Sequence, residues 1–135
     1  MKTPAEIVNL MLKNDHFSNW LNLEVDLISL GHCRLRTTIS QVMLNGHSIA
    51  HGGISYSLAD SALAFAANSR GQKAVSIETS IQHIAPAYEG DILIADCVEV
   101  HCGKTVGRYE ARVENQRGEL IAKFTGTVFR SVDQW

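Results

Sequence analysis

The sequence predicts an α+β fold, an antiparallel sheet wrapped around one long central helix, and three observations predict it. Six runs alternate apolar and polar residues with the period of a strand. One segment in the middle, Gly53 to Asn68, is rich in Ala and Leu and apolar over most of its circumference, which marks a helix buried rather than laid on a surface. The separators between the later runs are hairpin-length, whereas a parallel pairing needs a crossover of a dozen or more residues.

The chain has 135 residues, enough for one core and too few for two, so residues 1–135 are expected to form a single domain. Apolar residues make up 45% and charged residues 19%, with two prolines and no low-complexity tract, which excludes a disordered or collagenous chain. Twelve Lys and Arg against fourteen Asp and Glu give a net charge of −2 with no long basic run, so nucleic acid is not an expected partner. No stretch approaches the ~18 apolar residues of a membrane span, and Met1 to Leu12 shows no apolar run with a basic flank and small-residue cleavage site, so no secretory leader is expected. A cytoplasmic protein without a membrane partner is expected. Cys33, Cys97 and Cys102 are odd in number and show no CxxC pair, so they are expected to be reduced and structural.

Thr3-Pro4-Ala5-Glu6 combines an N-cap, a proline at N1 and a Glu at N3, and Ile7, Leu10 and Met11 follow at helical spacing. This predicts a helix from Pro4 to Asn14. Leu23, Val25 and Leu27, then Cys33, Leu35, Thr37 and Ile39 beyond Gly31, predict a strand hairpin. Residues 41–53 break both periods and carry Asn45-Gly46 and Gly52-Gly53, marking a loop that ends where the central helix begins. Four alternating runs follow: Val75 to Ile81, Ile92 to Val100, Tyr109 to Val113 and Leu120 to Val128. Short turns predict that these four form an antiparallel meander, with the helix covering one face. Open edge strands invite pairing with a second copy, so at least a homodimer is expected.

Asp60 is an acid in a helix whose other positions are small or apolar, and a desolvated carboxylate must be paired, neutralised or turned to a cavity. Gly52 and Gly53 stand at the helix start, where free N–H groups and the positive dipole end favour a developing oxyanion. Asp60 follows Gly52 by eight residues, roughly 12 Å along the axis, too far for one carbonyl to touch both in the same chain. If the two groups act together, the acid comes from a neighbouring protomer. His47 and His51 have the i,i+4 spacing of zinc ligands but no Glu between them and no third ligand, so no metal is expected. His51 either braces the loop or donates to a substrate oxygen, and Asn45 is a turn residue whose amide is able to hold a carbonyl or a water. Asp96 and His101 are an odd number apart on a strand and face opposite ways. No P-loop, G-x-G-x-x-G or G-x-S-x-G is present.

Taken as one block, Asn45-Gly46-His47-Ser-Ile-Ala-His51-Gly52-Gly53 with Ser57-Leu-Ala-Asp60-Ser-Ala-Leu and Asn68-Ser69 resembles the signature of hot-dog acyl-CoA thioesterases, most of all the phenylacetate-degradation (PaaI) branch. The similarity continues through Pro86-Ala-Tyr-Glu-Gly90-Asp91 and Gly103-Lys104-Thr105-Val-Gly107-Arg108-Tyr109. The resemblance implies that Asp60 is the catalytic carboxylate, as general base or nucleophile, and that Gly52 of the opposite subunit supplies the oxyanion-hole N–H. It implies that Asn45 and His51 position the carbonyl or the water, that Ser76 helps to orient that water, and that Gly53 lies at the substrate. It also implies a dimer of dimers with inter-subunit sites, acyl-CoA as substrate and no cofactor. Lys104, Arg108 and Arg70 are candidate cations for the CoA phosphates, and Tyr56 and Phe65 candidate linings of the acyl chamber. The competing readings are a hydratase or dehydratase of the same fold, which needs a paired His and acid, and a noncatalytic acyl-CoA-binding protein.

Overall fold

The computed structural model describes residues 1–135. Helix α1 spans Pro4–Asn14 and carries the predicted capping box: the Glu6 N–H donates to Thr3 Oγ1 (3.2 Å) and the Thr3 N–H donates to Glu6 Oε2 (2.7 Å). A second helix, α2 (His16–Trp20), is one that periodicity over so short a span does not reveal. It starts where the Asp15 carboxylate accepts the Ser18 N–H (2.9 Å) and the Ser18 hydroxyl (2.6 Å). The same hydroxyl lies 3.0 Å from Ser61 Oγ and so docks α2 on the central helix.

Strands β1 (Glu24–Ser29) and β2 (His32–Thr38) form the predicted hairpin. Helix α3, Gly52–Asn68, runs through the concave side of the sheet. Leu58, Leu63 and Phe65 are wholly buried there, each worth about 1.5–3 kcal/mol of transfer energy as an upper bound. Helix α3 approaches the sheet closely over Gly126, where a Cβ would come within 2.6 Å of Leu63 Cδ2 and force that side chain to shift.

Strands β3 (Gln72–His83), β4 (Ile92–Cys102), β5 (Val106–Glu114) and β6 (Leu120–Gln134) complete one antiparallel sheet in the order β1-β2-β4-β5-β6-β3. The expected four-strand meander is thus corrected to three strands, β4-β5-β6, with β3 at the far edge beside β6. The turn ahead of β4 exists as read, with the Asp91 N–H on the Tyr88 carbonyl (3.0 Å) and Gly90 at φ +89°. It is only the last part of a longer connection. Residues 84–87 first cross the sheet end, where the Ile84 N–H donates to the Ile121 carbonyl (2.8 Å) and the Ala50 N–H to the Ala87 carbonyl (2.8 Å).

The alternation in β3 also changes phase. A bulge between Ser76 and Glu78 makes Ile77 the extra residue opposite β6. Ala74 and Ser76 before it, and Thr79 and Ile81 after it, therefore all face α3, while Val75 and Ile77 are 65% and 61% exposed on the edge strand. No helix is long and apolar enough to cross a membrane.

Candidate active site

Helix α3 and strand β3 run antiparallel past each other, and their contacts follow in order along both. Asn68 Oδ1 accepts the Ala74 N–H (2.9 Å), Asp60 shares a cleft with Ser76, the Tyr56 hydroxyl lies 2.6 Å from Thr79 Oγ1, and Gly52 packs under His83. Two concavities open at different heights on this pair. Asn45 and Gly52 line one, and Asp60 and Ser76 line the other.

The Gly52 cleft, of about 450 Å³, is bounded by the loop before α3, the start of α3 and the crossover of residues 84–87. His51 is the N-cap, and its Nδ1 accepts the Gly53 N–H (2.8 Å), so the neutral ring carries its proton on Nε2. Ile54 donates to the His51 carbonyl (2.9 Å). These bonds use the second and third N–H groups of the helix and leave that of Gly52 without an acceptor, at the positive end of the dipole. Asn45 fixes the loop by accepting the His47 N–H (2.9 Å) on Oδ1, and its Nδ2 hydrogens have no partner. His83, which the strand alternation did not single out, rests against Gly52. A Cβ on Gly52 would stand 3.0 Å from His83 Cε1 and 3.1 Å from His83 Nε2.

The Asp60 cleft, of about 480 Å³, is mostly apolar, with Leu63, Ala64, Val75 and Val128 in its walls. Asp60 makes no hydrogen bond or ion pair, and burial raises its carboxyl above the ordinary aspartate value. A desolvated, unpaired acid facing a cavity is a group held ready to take a proton. Ser76 reaches this cleft because the β3 bulge re-aims it. Met11 and Trp135 also line it, one from α1 and one from just beyond β6, and no local motif flags either.

Other candidates fall elsewhere. Phe65 is fully buried in the core, and Tyr56 lies edge-on to Phe124 with ring centroids 5.6 Å apart. Arg70 is engaged by Glu99 (2.8 and 3.1 Å), whose other partner is the Tyr109 hydroxyl (3.0 Å). Lys104 and Arg108 stand exposed on the β4–β5 hairpin and line neither cleft. Asp96 pairs with His32 (2.6 Å) on the outer face rather than with His101. Cys33 and Cys97 sit opposite one another in β2 and β4, and burial pushes both thiols up, away from the reactive thiolate.

The chain resembles known proteins in both sequence and fold. Residues 47–122, which hold the Gly52 and Asp60 segments, match the thioesterase superfamily. The acyl-coenzyme A thioesterase PaaI of Escherichia coli K12 is 36% identical over 120 residues, covering 89% of this chain and 86% of that protein. The structure of the E. coli PaaI protein from the phenylacetic acid degradation operon superimposes with a TM-score of 0.95 at 33% identity, over 97% of this chain and 95% of that one. A Streptococcus mutans UA159 protein, smu.793, solved bound to acetyl-CoA, superimposes with a TM-score of 0.81 at 30% identity, over 84% and 92% of the two chains. The fold shared with these proteins is the hot-dog fold.

Proposed function

The chain belongs to the thioesterase superfamily and is a thioester hydrolase of acyl-CoA thioesterase type, and from that premise we propose that it cleaves aryl-acetyl (phenylacetyl-type) or medium-chain acyl-CoA to the free acid and CoA in the cytoplasm. One observation carries the reading: a half-buried, unpaired carboxylate at Asp60 and an unpartnered N–H at Gly52 stand on the same helix, roughly 12 Å apart along its axis, each in its own cleft. Each cleft holds half of what thioester hydrolysis needs.

A dimer joins the halves. Strand β3 is a free sheet edge, open to antiparallel pairing with a second copy. A two-fold axis midway between Ser76 and His83 would bring the Asp60 cleft of one protomer against the Gly52 end of the other. The thioester carbonyl then lies between them, its oxygen on the Gly52 N–H. With Asp60 as general base, water attacks the carbonyl carbon as Asp60 takes its proton. The C–S bond breaks as the tetrahedral oxyanion collapses, and the departing thiolate recovers a proton from Asp60. With Asp60 as nucleophile, the carboxylate attacks the carbonyl carbon, the C–S bond breaks to expel the CoA thiolate, and water then hydrolyses the mixed anhydride to acid and carboxylate, its released proton going to the thiolate. In this arrangement His51 braces the helix start and, with Asn45 Nδ2, positions the carbonyl or water, Gly53 lies at the substrate in that turn, and Ser76 orients water. Lys104 and Arg108 are cations available to CoA phosphates on the assembled oligomer, a dimer of dimers.

The test is free-thiol release from phenylacetyl-CoA, a hydroxyphenylacetyl-CoA and straight-chain acyl-CoAs. Turnover concentrated on the aryl-acetyl or medium-chain members is the expected result, and binding without thiol release from any of them rejects the reading. Single-turnover hydrolysis in heavy-oxygen water bears on the two roles of Asp60: label in the enzyme carboxylate means an anhydride opened at the aspartyl carbonyl, and label in the product alone supports attack by water.

A further inference from the structure

The Asp60 cleft has a floor. From Asp60 the helix face continues through Ala64 to Asn68, at i, i+4 and i+8, so the three residues stack along one side of the cleft. Ala64 in the middle is small and leaves open the space beside it. At the far end, roughly 12 Å along the axis from Asp60, stands the Trp135 indole.

That indole is held from several directions. Its Nε1–H donates to Asn68 Oδ1 (2.7 Å), and Asn68 is itself 2% exposed and tied by its Nδ2 to the carbonyls of Ala64 (2.8 Å) and Ala74 (3.0 Å). The Lys73 ammonium lies 5.1 Å from the ring centroid. The Trp135 N–H donates to the Gly71 carbonyl (3.0 Å), and Lys2 Nζ donates to the Trp135 carbonyl (2.8 Å). A large aromatic ring fixed this way to a buried asparagine is a rigid wall rather than a loose flap.

We propose that Trp135 is a specificity-determining residue: it closes the Asn68 end of the Asp60 cleft and limits the acyl group to compact aromatic or medium-length chains. The inference rests on the thioesterase reading above, with the acyl carbonyl at Asp60 and its tail directed along Ala64. Chains that reach the indole are refused, and an aryl-acetyl ring fits between Met11, Ala64 and the indole. Met11, unbranched and adaptable, shapes the opposite wall without setting a sharp limit.

The experiment compares kcat/KM for phenylacetyl-CoA and straight-chain acyl-CoAs from butyryl to dodecanoyl in the wild type, Trp135→Ala and Trp135→Phe. Removing the indole in Trp135→Ala should move the longest accepted chain upward and change the dodecanoyl-to-phenylacetyl ratio by about tenfold or more, the scale of a pocket contact. Trp135→Phe, which keeps one ring and loses the Nε1–H, should give an intermediate shift, and it carries the test if the alanine variant does not fold. A merely structural Trp135 would lower every substrate alike together with the melting temperature. That uniform loss, or an unchanged chain-length profile in a folded variant, overturns the proposal while leaving the thioesterase reading intact. No thiol release by the wild type from any substrate overturns both.

Discussion

The two clefts on α3 are built by opposite means. The Gly52 cleft is a backbone device: its key group is an N–H that the helix geometry itself leaves free, framed by a loop, an N-cap imidazole and a crossover. The Asp60 cleft is a side-chain device, in which burial raises one carboxyl and the walls come from α1, α3, β3 and the far end of β6. The difference teaches where each is vulnerable. A backbone donor survives most substitutions and is displaced only by bulk, whereas a carboxylate is removed by a single atom exchange. On the proposed reading, neither cleft is complete within one chain.

The largest effect is expected at Asp60. Asp60→Asn keeps the shape and removes the base, so kcat for thiol release should fall by about 10²- to 10⁴-fold. In the wild type, activity should fall in acid through an inflection above the usual aspartate value, because burial favours the protonated form. Next comes bulk at the other cleft. Gly52→Ala sets a Cβ 3.0 Å from His83 Cε1, so the ring or the helix start must shift by a few tenths of an ångström. A loss of about 10² in kcat/KM is expected from the misplaced carbonyl, and a wild-type rate would remove Gly52 from the site.

Mixing the two variants tests whether the clefts meet across protomers. Asp60→Asn and Gly52→Ala chains, unfolded and refolded together, form mixed dimers in which one of two composite sites is intact, so about a quarter of wild-type activity should return. If both clefts served one carbonyl within a chain, the mixture would stay as inactive as its components.

Smaller effects separate support from chemistry. His51→Ala deletes the acceptor of the Gly53 N–H and should cost about 1 kcal/mol in denaturant unfolding, with the chain-length profile unchanged. The smallest effect is a gain. The folded Asp60 carboxyl has a raised pKa, so the folded state binds a proton more readily than the unfolded chain, and the buried charge opposes folding above that pKa. Asp60→Asn should therefore melt above the wild type at neutral pH. The advantage should vanish as pH falls through the folded pKa, and a variant that melts lower at neutral pH would show that the charge has a stabilising partner.

Much of this was legible because it is local. The capping box of α1, the apolar circumference of α3, the His51-Gly52-Gly53 helix start and the isolated acid at Asp60 are all written within a few residues of one another. Helix α2 escaped because five residues are too few to show a period. Strand β3 was found but misplaced, since a turn signature marks where the chain reverses and not which strand it returns to.

The sequence by itself therefore determined the element types, the antiparallel character of the sheet and the chemical identity of the two groups on α3. Capping, periodicity and the cost of burying a charge act over one to four residues and are read directly. Only the tertiary structure decided that β3 lies beside β6, that its bulge turns Ser76 toward the Asp60 cleft, that His83 rests on Gly52 and that Trp135 lines the far end of that cleft. Those contacts join residues tens of positions apart. They depend on register, strand order and the fit of one glycine or one indole, quantities fixed by packing the whole chain at once.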